Sequence, residues 1–130
     1  MAWTNSKIFR ITLANSLGNV TALDLDADSF KLANYNNAIT PDQNVTAANT
    51  AYNVGQWASA NEVSQSGQWA AGGIAIASTV LDTSTNGIVM FDGNDVASGS
   101  AATLSNVFGG LVYDDTLTTP GQPTRSTRHG

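Results

Sequence analysis

Short apolar segments separated by turn residues run through most of this chain, and their spacing limits the fold more than any other feature. Residues 74–81 and 88–91 are two such segments, both rich in β-branched side chains. Asn86-Gly87 lies between them, and an Asn-Gly pair favours the positive φ angles of a hairpin turn. Many short strands with Gly, Asn or Asp turns predict a mainly β domain, either an antiparallel β-sandwich or a barrel-like sheet.

Strands are also predicted near both ends of the domain. Residues 7–13 alternate polar and apolar side chains, the period-two pattern of a half-buried strand. Residues 20–25 and 29–35 follow as strands of the same opening β-meander, and residues 102–107 and 111–113 are predicted as the last strands.

One short helix is predicted around residues 46–54. Thr46 is of a residue type that caps helix N-termini, and Gly55 stands where such a helix would end. Because the segment is short, tertiary contacts rather than helix propensity would have to hold it.

Length and charge divide the chain into one domain and a tail. The 130 residues suit a single β domain at residues 1–115, followed by a flexible basic tail at residues 116–130 that is rich in Thr, Pro, Gly and Ser. The domain holds all ten acidic residues and three basic ones, whereas the tail adds Arg125 and Arg128. An acidic domain repels phosphate backbones, so no nucleic-acid partner is expected. A tail that docks on an acidic partner is the less favoured alternative to a frayed end.

The composition excludes several classes of protein. The chain has no cysteine, which excludes a disulfide framework, thiolate metal sites and a cysteine nucleophile. Its longest weakly polar stretch, residues 69–81, is shorter than the ~20 apolar residues of a membrane span. The amino terminus lacks the apolar run of a signal peptide, so we expect synthesis in a cytoplasm and no membrane partner.

Residues suited to catalysis are scarce. His129 is the only histidine and lies next to the last residue, where no partner would orient it as a general base. Glu62 is the only glutamate, and a two-carboxylate glycosidase would need it. A lone glutamate more often accepts hydrogen bonds from backbone amides or pairs with a cation. The sequence therefore predicts no enzyme, no catalytic residues and no cofactor.

One acidic triplet has part of a metal-binding pattern. Asp24, Asp26 and Asp28 have the spacing that begins a calcium loop, but Ser29 and Tyr35 occupy the positions where that loop needs Gly and Glu. Acidic side chains along one edge more often keep a strand solvated and prevent aggregation. No metal site is predicted.

Aromatic and basic side chains are the candidate interface residues. Trp57 and Trp69 occupy two copies of the tetrapeptide Gly-Gln-Trp-Ala, and aromatic residues concentrate at interface cores. In a chain rich in Gly and Ala, such rings also supply core volume, which is the alternative interpretation. The predicted interface residues are Trp57, Trp69, Tyr113, Arg125 and Arg128.

Six short motifs occur in order along the chain: Asn36-Asn37, Thr40-Pro41-Asp42, Ala51-Tyr52-Asn53, Asn61-Glu62-Val63, Ala71-Gly72-Gly73 and Gly109-Gly110-Leu111-Val112-Tyr113. In this order they resemble a family of tailed-bacteriophage virion proteins over roughly residues 7–115. Members of that family are head decoration, minor capsid, and head or tail fibre proteins.

The resemblance implies a structural role. It implies a head decoration or minor capsid protein on the capsid surface of a virion, with the major capsid protein as partner and a homo-oligomeric state. The alternative is a tail or fibre-type receptor-binding domain. The chain departs from the family after its last shared strand, where residues 118–123 replace a further strand pair. That departure would expose a sheet edge for a neighbouring subunit or the capsid surface to cover.

Overall fold

The computed structural model describes Trp3 and residues 6–20, 22–45 and 50–117. These residues form two antiparallel sheets and one short α-helix, so the predicted mainly β class is confirmed. Two single-turn 3-10 helices lie at Gly55–Trp57 and Ser59–Asn61. In chain order, the helix and strands are α1 (Arg10–Leu17), β1 (Phe30–Tyr35), β2 (Glu62–Val63), β3 (Ile74–Ile76), β4 (Val80–Asp82), β5 (Met90–Asp92) and β6 (Gly109–Asp114).

Strand β1 is the centre of the larger sheet. Strand β6 pairs with it over its whole length, from Phe30 opposite Asp114 to Tyr35 opposite Gly109. Strands β2 and β3 follow one another along the other edge of β1, both antiparallel to it. Strands β4 and β5 pair only with each other, and no pairing closes the described strands into a barrel.

Residues 64–73 leave the sheet between β2 and β3, and we call them the excursion. An antiparallel β-bridge pairs Gln65 with Trp69, so the excursion folds back on itself as a small hairpin. Gly73 closes it at φ +84°, and a Cβ there would overlap the carbonyl oxygen of Leu32. Only glycine therefore allows the chain to return to the edge of β1 at this point.

One face of the larger sheet carries the core. Because side chains alternate along β1, Ala33 and Tyr35 share a face with Leu111 of β6. Trp57 and Ile39 cover that face, and all five side chains are buried.

Trp57 is the centre of this core. Its ring makes edge-on contacts with Tyr35, Phe9 and Trp3 at centroid distances of 5.1, 6.0 and 5.9 Å. The hydroxyl of Tyr35 also donates to the carbonyl oxygen of Trp57 over 2.8 Å. Such aromatic pairs stabilise a fold beyond the area that they bury.

The two sheets meet through one aromatic contact. Phe30 points to the opposite face from Tyr35, and its ring lies 5.0 Å from that of Phe91 on β5. The smaller sheet thus covers the start of β1, while the aromatic core covers the end of β1.

The helix lies elsewhere than predicted. The strand predicted at residues 7–13 is wrong, because Arg10–Leu17 forms α1. The alternating pattern stops at Leu13, and three of the last five residues of α1, Leu13, Ala14 and Leu17, are good helix formers. Of the helix predicted around residues 46–54, residues 46–49 lie outside the described residues.

Residues 50–54 form turns, so that part of the predicted helix is wrong. The physical reason is the backbone of Asn53, whose φ angle of 57° an α-helix cannot accommodate. The strands predicted at residues 20–25 and 102–107 are also absent from the described part of the chain. Residues 118–130, with most of the predicted tail, lie outside that part.

None of the described helices has the length and apolarity needed to cross a membrane.

We expect Trp57→Ala to lower the free energy of unfolding by about 3–5 kcal/mol, because it removes a buried ring and three aromatic contacts. Trp69→Ala is the matched control, since Trp69 is only half-buried. Its cost should be about half as large. Urea denaturation followed by circular dichroism measures both values, and equal losses would contradict the central place of Trp57.

Candidate functional site

The structure separates the predicted interface residues. Trp57 is 2% exposed and supplies core volume, the alternative that the sequence left open. Trp69 and Tyr113 are half-buried, on the excursion and on β6. Arg125 and Arg128 lie outside the described residues. The described members of the set therefore do not form one surface patch.

Glu62 joins the excursion to the sheet. One carboxylate oxygen accepts the backbone N–H of Gly72 over 2.7 Å, and the other accepts the hydroxyl of Tyr52 over 2.7 Å. Tyr52 stacks on Tyr113 with ring centroids 4.8 Å apart, and Tyr113 donates to the carbonyl oxygen of Gly72 over 2.6 Å. The sequence-based interpretation of a lone glutamate that accepts a backbone amide is confirmed.

Both tyrosines of this cluster stay neutral at ordinary pH. Burial and then the hydrogen bond to Glu62 raise the pKa of Tyr52 to about 12. Burial, with Asp115 as the next cause, also raises the pKa of Tyr113. The cluster therefore offers a network of hydrogen bonds and no activated nucleophile.

We expect Glu62→Ala to accelerate hydrogen exchange at the Gly72 amide by about tenfold or more, because it removes a charged acceptor. Tyr52→Phe is the matched control: it removes the hydroxyl and leaves the bond from Gly72 to Glu62. Exchange detected by NMR should change little in that control. If the exchange rate of the Gly72 amide is the same in Glu62→Ala as in the wild type, Glu62 does not hold the excursion against the sheet.

Two carboxyl groups are buried together where β6 ends beside the start of β1. Asp28 and Asp114 are each 4% exposed. The backbone N–H of Asp24 donates to Asp28, and that of Thr116 donates to Asp114. Burial and then the hydrogen bond with Asp28 raise the pKa of Asp114 to about 7. Asp114 therefore keeps its proton up to near-neutral pH.

The carboxylate of Asp24 is also bound to backbone. It accepts the N–H groups of Asp26 and Ala27, both over 3.1 Å, in a turn of its own loop. Within the part of the chain that the structure describes, no group of three or more His, Asp or Glu side chains is placed to hold a metal ion.

Stability should fall as the pH rises from 5 to 8. The folded chain keeps the proton of Asp114 up to a pKa of about 7, whereas an unfolded aspartate releases it near its ordinary value of 3.8. Folding therefore binds a proton in this window, and the free energy of unfolding should decrease by ~1–3 kcal/mol as that proton is lost.

Asp114→Asn should remove most of this pH dependence, and Asp95→Asn, at an exposed position, is the control. Urea denaturation at several pH values between 5 and 8 measures it. A wild-type stability that is flat or rises across this range would show that folded Asp114 does not keep its proton.

Large apolar side chains are exposed on several elements. Leu17, on α1, is 81% exposed, and Val89, beside β5, is 67% exposed. Both line an open apolar groove of about 870 Å³ between α1, residues 22–26 and the hairpin of β4 and β5. We call it the apolar groove. Sequence analysis missed it, although the four-residue spacing of Leu13 and Leu17 is a helical signal that could have indicated one wall.

Comparisons with protein-family models, with curated proteins and with solved structures find no match to this chain. A functional assignment therefore depends on the chain's own residues and on the resemblance of its motifs.

Proposed function

We propose that this chain is a structural virion protein, a head decoration or minor capsid protein that binds the outer surface of a phage capsid through the major capsid protein. The resemblance of the six motifs suggests the class. The observation that carries the proposal is the amount of apolar surface left exposed on a small β domain.

Exposed apolar side chains that lie together mark a binding surface on many proteins. Five of the exposed side chains line the apolar groove together: Ile8, Leu13, Leu17, Leu81 and Val89. The largest apolar patch on an ordinary monomer covers about 300–600 Å² and is often functional. Among the residues that the structure describes, eleven large hydrophobic side chains are exposed: Ile8, Leu13, Leu17, Val20, Val80, Leu81, Ile88, Val89, Met90, Val107 and Val112. Covering part of this surface would stabilise a complex by ~25 cal/mol for each Å² removed from water.

Several charged side chains are held in structural hydrogen bonds or ion pairs. Glu62 and Asp114 bond to backbone amides, and Lys31 pairs with Asp115 over 3.0 Å. Arg10 donates to the side chain of Asn44 over 2.9 Å. A protein whose output is a contact needs no converging acid and base.

The acidity of the domain suits the outside of a capsid. Residues 1–115 hold ten acidic and three basic residues, so the domain repels packaged nucleic acid. A homo-oligomer repeated over a symmetric shell also gains avidity, which lets contacts of modest area hold each copy.

Purified particles of the virus that encodes this chain provide the test. Quantitative mass spectrometry should find the protein in many copies per particle, and the protein added to empty heads should sediment with them. Particles without the protein would overturn the proposal. A few copies at the tail tip, together with binding of the isolated protein to host cells, would establish the receptor-binding alternative instead.

A further inference from the structure

The helix α1 presents its leucines to the apolar groove and not to the core. Thr12 is its one buried residue, whereas Leu13 and Leu17 are exposed and line the groove. An isolated helix of eight residues is too short to be stable by itself, and packing of an apolar face is what usually holds such helices. Leu13 and Leu17 of α1 are thus turned towards a space that an additional apolar group can fill.

The wall of the groove opposite α1, formed by the hairpin of β4 and β5, also presents apolar side chains to the groove. Leu81 and Phe91 are directly opposed in the pairing of β4 with β5, so they share a face of the small sheet. Phe91 anchors that face on Phe30, and beyond the anchor Leu81 and Val89 line the groove. A two-stranded hairpin is marginally stable without further packing. A single bound apolar segment would therefore stabilise both α1 and the hairpin of β4 and β5.

The floor of the groove continues the apolar surface. Leu23 and Leu25 line it between the two walls and are half-buried. The volume of about 870 Å³ lies in the range of pockets that hold a compact ligand or a few side chains. Its open shape suits a segment of polypeptide laid along it.

The charge of the lining indicates the chemistry of the occupant. Asp24 and Asp26 are the only charged side chains among the described lining residues, and both are negative. Each is fixed in position: Asp24 accepts backbone N–H groups of its own turn, and Asp26 accepts the N–H of Leu81 over 3.4 Å. A partner with cationic side chains beside its apolar ones matches this arrangement.

We propose that the apolar groove binds a segment of a partner protein in which apolar side chains are flanked by Lys or Arg. Under the proposed function, on which the identity of the partner rests, this segment belongs to the capsid subunit. A second copy of this chain fits the groove less well, because two facing grooves would bring Asp24 and Asp26 against their own copies.

Matched variants of exposed residues test the groove without disturbing the core. The double variant Leu17→Gln and Val89→Thr keeps a good helix former and a β-branched residue while removing apolar contact. The control is Ile88→Thr and Val112→Thr, at side chains that are 55% and 48% exposed and outside the lining. Equal thermal melting of both double variants and the wild type verifies that each is folded.

Two probes are used with the full chain. The first is the empty head of the virus, in a sedimentation assay. The second is a short synthetic peptide in which Leu alternates with Lys, with a peptide of Leu and Glu as its counterpart. We expect the groove variant to lose about tenfold or more in affinity for both the head and the Leu-Lys peptide, and the control variant to bind as the wild type does. The Leu-Glu peptide should not bind.

Asp26→Asn separates charge from shape, because it keeps an acceptor oxygen for the Leu81 amide and removes the negative charge. It should weaken Leu-Lys peptide binding severalfold and reduce its dependence on salt.

The outcomes distinguish the two proposals. If the wild type fails to bind heads but binds the Leu-Lys peptide in the groove, the proposed function fails and the groove chemistry stands. If the wild type binds heads and the groove variant binds them equally, the groove inference fails alone. A wild-type dimer that the groove variant dissociates would identify a second copy as the occupant and overturn the inference.

Discussion

The antiparallel pairing of β1 with β6 is the contact on which the rest of the structure depends. It joins residues 30–35 to residues 109–114, so it forms only when nearly the whole domain has been brought together. Every other layer is placed relative to this pair: Trp57 covers one face, Phe91 covers the other, and β2 and β3 fill the remaining edge of β1. Non-local pairing of this kind makes folding slow and cooperative.

Local patterns were sufficient to predict part of this fold. The predicted strands at residues 29–35, 74–81, 88–91 and 111–113 overlap β1, β3, β4, β5 and β6, because apolar patterning and turn residues act over a few neighbours. Arg10–Leu17 was assigned to the wrong class, since a short segment with mixed periodicity fits either structure. Strand β2 was missed because two residues carry no pattern of their own.

The candidate site was less predictable, because most of its contacts join residues that are far apart in sequence. Glu62 bonds to Gly72 and Tyr52, each ten residues away in sequence. The bond to the Gly72 amide could be expected because a lone glutamate often accepts backbone amides. The apolar groove instead unites α1 with β4 and β5, which are far apart in sequence. Likewise, the pairing of Asp28 with Asp114 depends on the register between β1 and β6, which no local pattern encodes.

The excursion has a consequence for how this protein can vary. Residues 64–73 lie outside the register of the sheet, and their base is held by Glu62, Gly73 and the hydroxyl of Tyr113. At the tip, a side chain at Gly67 would meet no other atom within 4 Å. Residues added at that tip would raise the entropic cost of closing the loop only slowly as the insertion lengthens. The molecule thus carries a natural insertion point, where foreign peptides could be displayed without altering the strands beneath.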